Sequence, residues 1–185
     1  MTNVLIVYGH TDVNESVANK IIIDELKELL PDGEFDLLDE LYPNYVIDKE
    51  AEQEKLANAD IIVLQYPIYW YGMPSLMKRW MEVCFEHGFS HGSNGDKLQG
   101  SKLIASFTTG APEQAYNKDG HAGIDIEELL LPLKGASNLC GFEFDKFVYT
   151  GGLSYTMRSD PEALEAMKEK SAEHAKRLVD EINSL

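Results

Sequence analysis

Three short stretches hold the side chains that could do chemistry. In TTGAPEQAYNKDGHAG, Tyr116 and His121 share a glycine-bearing loop beyond Thr108, Thr109, Gly110 and Ala111. A phenol and an imidazole can together donate to a carbonyl oxygen that gains negative charge. The threonine hydroxyls and the unobstructed backbone at Gly110 suit the polar edge of a ring. In GHTDVNESVAN, Ser16 and Asn19 stand where a helical pattern begins. Free N–H groups and the helix dipole favour an anion there, and His10 could add a donor. Simple capping of the helix by Asn14 or Ser16 accounts for the same residues. In QYPIYWYGMPS, the rings Tyr66, Tyr69, Trp70 and Tyr71 crowd a strand-to-helix turn. They either fill a core or dimer surface, or line a flat, apolar ligand.

The elements that must position these residues alternate along the chain. Val4 to Tyr8 is a continuous apolar run, as expected of a strand buried on both faces. Ser16 to Leu30 repeats its apolar residues with a helical period and stops at Pro31-Asp32-Gly33. Glu34 to Leu38, Ile61 to Leu64, Lys102 to Thr108 and Phe144 to Thr150 read as four further strands. Lys49 to Asn58, with Asp48 as N-cap, and a helix following Pro74 lie between them. Leu76, Met77, Trp80, Val83 and Cys84 form the buried stripe of the second of these. Ile124 to Leu139 reads as helix interrupted near Pro132 and Gly135, and Asp160-Pro161 opens a last helix to about Asn183.

This alternation predicts an α/β fold: a five-stranded parallel sheet, order 2-1-3-4-5, with helices on both faces. Residues 1–185 are read as one flavodoxin-like domain. In such a sheet a ligand lies beyond the carboxyl ends of the strands, where the strand order reverses. The three stretches converge at that point, between the first and third strands. The ligand expected there is planar and carries a phosphate, and flavin mononucleotide (FMN) fits. Neither G-x-G-x-x-G nor G-x-x-x-x-G-K-[ST] follows the first strand, which argues against a dinucleotide or nucleoside-triphosphate site of those kinds. Residues 86–100 form a glycine-rich loop longer than a plain connection needs, hence functional or mobile.

The formal net charge of −16 argues against a nucleic-acid partner and against docking on an anionic membrane surface. No apolar run approaches the ~18 residues of a membrane span, and no basic segment precedes the first apolar run. A cytoplasmic location is expected. Cys84 and Cys140 lack the C-x-x-C spacing of a redox or metal site and read as buried thiols. No metal is expected.

Beyond these signals, the chain resembles a family over nearly its whole length. The resemblance is carried by VLIVYGH with SVANK, by LYPNYVIDKEAEQEKLANADIIVLQYPIYWYGMPSLMKRWMEVCFEHGF, and by LIASFTTGAPEQAY with GHAG. These are similar to the flavodoxin-like NAD(P)H:quinone oxidoreductases, in particular small bacterial members that accompany potassium-efflux antiporters, and general stress protein 14. The resemblance implies phosphate and ribityl contacts from His10, Ser16, Val17, Ala18 and Asn19. It implies isoalloxazine contacts from Pro67, Ile68, Tyr69, Trp70, Tyr71, Thr108, Thr109, Gly110 and Ala111. It implies that Tyr116 and His121 assist hydride transfer and contact the quinone. The larger members' C-terminal extension for FAD is lacking, which favours FMN over FAD. The implied activity is two-electron transfer from NAD(P)H to quinones or related acceptors by a ping-pong mechanism, in a homodimer. The alternatives are a regulatory subunit of a membrane antiporter and a flavodoxin-type electron carrier. The carrier's T-x-T-G-x-T phosphate loop is absent after Tyr8.

Overall fold

The computed structural model describes residues 2–185. Its strands are β1 (Val4–Tyr8), β2 (Glu34–Leu37), β3 (Ile61–Pro67), β4 (Lys102–Thr108) and β5 (Glu143–Thr150). They form one sheet in the order β2-β1-β3-β4-β5, and every neighbouring pair is parallel. The helices are α1 (Ala18–Leu29), a single turn α2 (Leu38–Leu41), α3 (Lys49–Asn58), α4 (Ser75–Cys84), α5 (Leu131–Cys140) and α6 (Pro161–Asn183). This is the flavodoxin-like topology expected from the alternating pattern.

The continuous apolar runs are buried on both faces. On one face Leu5, Val7, Ile62, Leu64, Leu103, Ala105 and Phe107 pack against Leu76, Met77 and Trp80 of α4 and Leu133 of α5. On the other, Ile6, Tyr8, Val63, Ile104 and Val148 meet Ile22, Ile23 and Leu26 of α1 and Ala175, Leu178 and Ile182 of α6. Cys84 and Cys140 are free and buried. Val83 is only partly covered, so the buried stripe of α4 is narrower than expected.

Several boundaries differ from the expected ones for local reasons. β3 runs on to Pro67, three residues past the last aliphatic, because Gln65 and Tyr66 keep their pairing with β4. A polar Gln hides this from an apolar pattern. α1 begins at Ala18 because Ser16 is still extended (φ −73°, ψ 118°). The segment after Ile124 is not broken at Pro132 or Gly135. A 3₁₀ turn, Ile126–Leu130, passes into α5, with Pro132 in the first turn where a missing N–H costs nothing. α5 closes on Gly141 in the left-handed region (φ 79°). The 86–100 loop is pinned by Lys97 N–H to Phe89 O (3.0 Å), Gly88 N–H to His91 O (2.9 Å) and the buried Leu98.

One charged cluster lies inside. Glu52 of α3 is fully buried and accepts from Trp80 Nε1 (2.6 Å), Tyr42 Oη (2.7 Å) and Lys55 Nζ (2.7 Å). Lys55 also donates to Asp36 of β2 (2.5 Å). Burial, with Glu52 beside it, pushes the Asp36 carboxyl up to about 7, while Glu52 with its several donors is held low. Among the described residues no helix is long and apolar enough to cross a membrane.

Candidate functional site

Strand order reverses between β1 and β3, and the loops leaving β1, β3 and β4 meet there. They enclose a cleft of about 460 Å³. Of the residues singled out in the sequence, His10, Val17, Ala18, Asn19, Pro67, Ile68, Tyr69, Thr108 and Gly110 line it. A broader hollow of about 1,020 Å³ opens at the opposite end, among Pro31, Asp60, Lys102 and Leu185. That end holds the amino termini of the strands, whereas ligands of parallel sheets sit at the carboxyl ends. The smaller cleft is therefore the candidate site.

Its head is the start of α1. No side chain caps this helix, and its first turn holds no acidic residue. Neither Asn14 nor Ser16 caps α1: the Asn14 backbone N–H donates to Asp12 Oδ1 (3.0 Å), and the Ser16 hydroxyl pairs with Tyr8 Oη at 2.9 Å. Among the described residues, no acceptor outside the helix takes the N–H of Val17, Ala18 or Asn19. Ala18 and Asn19 are nevertheless buried. A buried, uncapped helix start favours an anion, since unpaired N–H groups and the dipole both suit negative charge.

His10 and Thr108 add donors beside the helix start. Asp12 N–H donates to His10 Nδ1 (3.0 Å), which fixes the proton of the ring on Nε2. Burial lowers the His10 pKa, so the ring is a neutral donor. The His10 backbone N–H is held by Asp39 Oδ2 at 2.8 Å. Asn19 Nδ2 donates to Thr108 Oγ1 (2.9 Å), leaving the hydroxyl hydrogen of Thr108 without an acceptor. Tyr69 stands edge-on to His10, with centroids 5.8 Å apart.

Trp70 and Tyr71 lie outside the cleft on a two-residue hairpin. Tyr69 and Gly72 exchange backbone bonds (2.9 and 3.0 Å), and both central residues have positive φ (47° and 63°). Such turns ordinarily carry Asn-Gly, so two bulky rings here are strained. Trp70 is 95% exposed. Thr109 does not line the cleft. Its hydroxyl donates to Ala111 O (2.7 Å) and pairs with Tyr149 Oη (2.9 Å), and its N–H and C=O bond Thr150 and Leu153. Ala111 is exposed beside the cleft, and its carbonyl also receives Gly152 N–H.

Tyr116 and His121 share a loop closed by Ala122 N–H to Ala115 O (3.0 Å). Tyr116 is half-buried, edge-on to Tyr149 at 6.3 Å. Burial, and then the nearby Tyr71, raise its pKa, so the phenol stays a donor. His121 is exposed, and neither residue lines the cleft.

Sequence reasoning missed a fourth wall. Leu153, Tyr155, Arg158 and Met167, from the segment after β5 and from α6, complete the cleft with Glu15. Arg158 Nη1 reaches Glu15 Oε2 across the rim (2.6 Å), and its guanidinium lies 5.7 Å from the Tyr155 ring centroid. The signal was available: the chain has three arginines, and this one follows a strand that ends at the same edge of the sheet.

An open parallel sheet in the order β2-β1-β3-β4-β5 defines the flavodoxin-like class of α/β fold, in which ligands lie at the switch point. The chain belongs to the flavodoxin-like fold family, which matches residues 2–175. It is 39% identical over 76% of its length to the glutathione-regulated potassium-efflux system ancillary protein KefF of Enterobacter sp. (strain 638), covering 78% of that protein. It is 37% identical over 76% of its length to the uncharacterized NAD(P)H oxidoreductase YrkL of Bacillus subtilis (strain 168), covering 80% of it. Its fold superposes with a TM-score of 0.85 on general stress protein 14 of Treponema denticola, solved in complex with FMN. That pair is 25% identical, with 96% of this chain and 98% of the other covered.

Proposed function

We propose that the protein is an FMN-dependent NAD(P)H oxidoreductase acting on quinones or related acceptors. The observation that carries this reading is the buried, uncapped start of α1 at the head of the cleft. FMN fits what surrounds it. The cleft, about 460 Å³, is within the ~300–1,000 Å³ usual for ligand sites. Its polar groups are mainly donors, whereas a phosphate, a polyol and a ring with two carbonyls offer many acceptors.

The N–H groups of Val17, Ala18 and Asn19 would hold the phosphate, with His10 Nε2–H and Arg158 as further donors. Arg158 would exchange Glu15 for the phosphate, a local cation in a chain of net charge −16. Ser16 takes part by holding Tyr8 and keeping the helix start open. Pro67, Ile68 and Tyr69 would wall the ring, with Thr108 and Gly110 at its polar edge. Thr109 and Ala111 would shape that edge from behind. When bound, FMN supplies the hydride-accepting and electron-donating centre, so NAD(P)H and a quinone can react in turn with ping-pong kinetics. Tyr116 and His121 would reach the acceptor from their loop and donate to its oxygen as negative charge develops. Trp70 and Tyr71 would cover the open side, excluding water or meeting a second copy in a homodimer. FAD is the alternative cofactor, and one cytoplasmic domain spanning residues 1–185 is the expected setting.

The test is oxidation of NADPH and NADH by the FMN-loaded protein with a simple benzoquinone. Turnover that slows in Tyr116→Phe and His121→Ala while FMN stays bound supports the assignment. Absence of turnover with either nucleotide sinks it. A second reading, supported by the identity with the ancillary protein KefF, is that the chain also binds and activates a membrane antiporter. Co-purification with an antiporter encoded beside it separates that role from the enzymatic one.

A further inference from the structure

Beneath the cleft, the sheet face against α1 and α6 changes character at its carboxyl end. Below, it is aliphatic: Ile6, Val63, Ile104 and Val148. In the last rungs it carries Gln65, Ser106, Thr108 and Thr150, all 6% exposed or less. α6 adds His174, fully buried. Buried polar side chains must satisfy one another, and here they do so in a single file.

The direction of that file is set at Ser106 and agrees with its start at Arg177. Arg177 Nη2 donates to Thr150 Oγ1 (2.5 Å), and a guanidinium can only donate. Ser106 Oγ donates to Gln65 Oε1 (2.6 Å), so toward His174 Nε2 (2.8 Å) it must accept. The imidazole proton is thereby on Nε2. The bare Nδ1 accepts from the Thr150 hydroxyl (2.8 Å). Gln65 Nε2 donates to Asn19 Oδ1 (2.8 Å), and Asn19 Nδ2 donates to Thr108 Oγ1 (2.9 Å). Every link points the same way, from the surface at Arg177 to the floor of the cleft. The file ends on the Thr108 hydroxyl, whose hydrogen has no partner although the residue is 3% exposed.

We propose that His174 is a positioning residue: held as the neutral Nε2–H tautomer, it sets the direction of a buried hydrogen-bond chain that presents Thr108 as a donor to the cofactor. The polarity of the chain stands on the unliganded protein alone, while the identity of the acceptor rests on the FMN reading above. Burial and the neighbouring Arg177 both disfavour the charged ring, which agrees with a neutral tautomer. His174 touches no ligand. If it carried its proton on Nδ1 instead, Ser106 would turn its hydrogen toward the ring. Gln65 and Asn19 would then reverse, and Thr108 would have to accept rather than donate.

The first measurement is the ¹⁵N NMR spectrum of His174 in the unliganded protein. The expected result is one bare Nδ1 and one protonated Nε2. A protonated Nδ1, or two equivalent nitrogens, overturns the proposal. The second is titration of FMN into wild type, His174→Gln, His174→Leu and Thr108→Val. An amide at position 174 can supply both an acceptor and a donor, so His174→Gln should keep the wild-type Kd within about twofold. His174→Leu and Thr108→Val should each weaken binding by about fivefold, the worth of one hydrogen bond, and the double variant by no more than either. Unchanged affinity in folded His174→Leu, or additive losses in the double variant, would refute the coupling. Failure of wild type to bind FMN refutes the functional reading and the acceptor assigned to Thr108. The tautomer measurement still decides the direction of the chain.

Discussion

His174 also makes a quantitative prediction about stability. Burial pulls its pKa from 6.5 down to about 3. A base whose folded pKa is depressed binds fewer protons folded than unfolded. Its stabilising effect is therefore present above pH 6.5 and is lost as pH falls toward 3. One proton corresponds to about 1.4 kcal/mol per pH unit, so between pH 6 and pH 4 the wild type should lose roughly 2–3 kcal/mol to this residue alone. Gln at position 174 keeps the hydrogen bonds and cannot titrate. Urea unfolding of wild type and His174→Gln at pH 6, 5 and 4 gives the comparison. The wild-type curve should fall more steeply, and the gap between the curves should close or invert by those 2–3 kcal/mol. Other groups titrate equally in both proteins and cancel. Parallel pH dependences would mean that His174 is charged, or that water reaches it, and would refute the packing described for α6.

Other perturbations test separate parts of the structure. Asp36 has the opposite sign: its folded pKa is raised, so it stabilises below pH 4 and loses that effect as pH rises through about 7. Asp36→Asn should flatten stability between pH 4 and 7 and gain on wild type at pH 8, measured by the same urea method; a large loss at pH 8 would contradict it. Tyr71→Gly should raise thermal stability by about 1 kcal/mol, because glycine adopts φ 63° without the clash of a Cβ. A fall in Tm would show that the ring packs better than its 54% exposure implies. Arg158→Ala should change stability by under ~1 kcal/mol, as its Glu15 pair is on the surface, yet weaken FMN binding roughly tenfold. Equal FMN affinity would remove Arg158 from the phosphate site.

Much of this was legible in the sequence because parallel strands buried on both faces must be continuously apolar. VLIVY and KLIASFT therefore stand out, and their alternation with helical periods yields strand order through general rules of connection. What escaped is polar. The apolar pattern of β3 stops at Leu64 because Gln65 reads as an ending, yet Gln65 is buried and hydrogen-bonded to Asn19 and Ser106. Ser16 reads as a cap, but its hydroxyl turns to Tyr8, a contact eight residues away that no local pattern shows. Thr108 and Thr109 look equivalent in sequence. The alternation of the strand points one at Asn19 and the other at Tyr149. The wall from Leu153 to Met167 was missed because it is set by the return of α6, not by a motif.

On the proposed function, the uncapped start of α1 and the donors around it bind FMN as a working cofactor. Anaerobic absorption spectroscopy tests it most directly. Apoprotein titrated with FMN should bind one flavin per chain with a shifted visible spectrum. Addition of NADPH or NADH should bleach that spectrum, and a benzoquinone should restore it. A protein that leaves the spectrum of FMN unchanged at all concentrations, or binds it without bleaching by either nucleotide, would contradict the account.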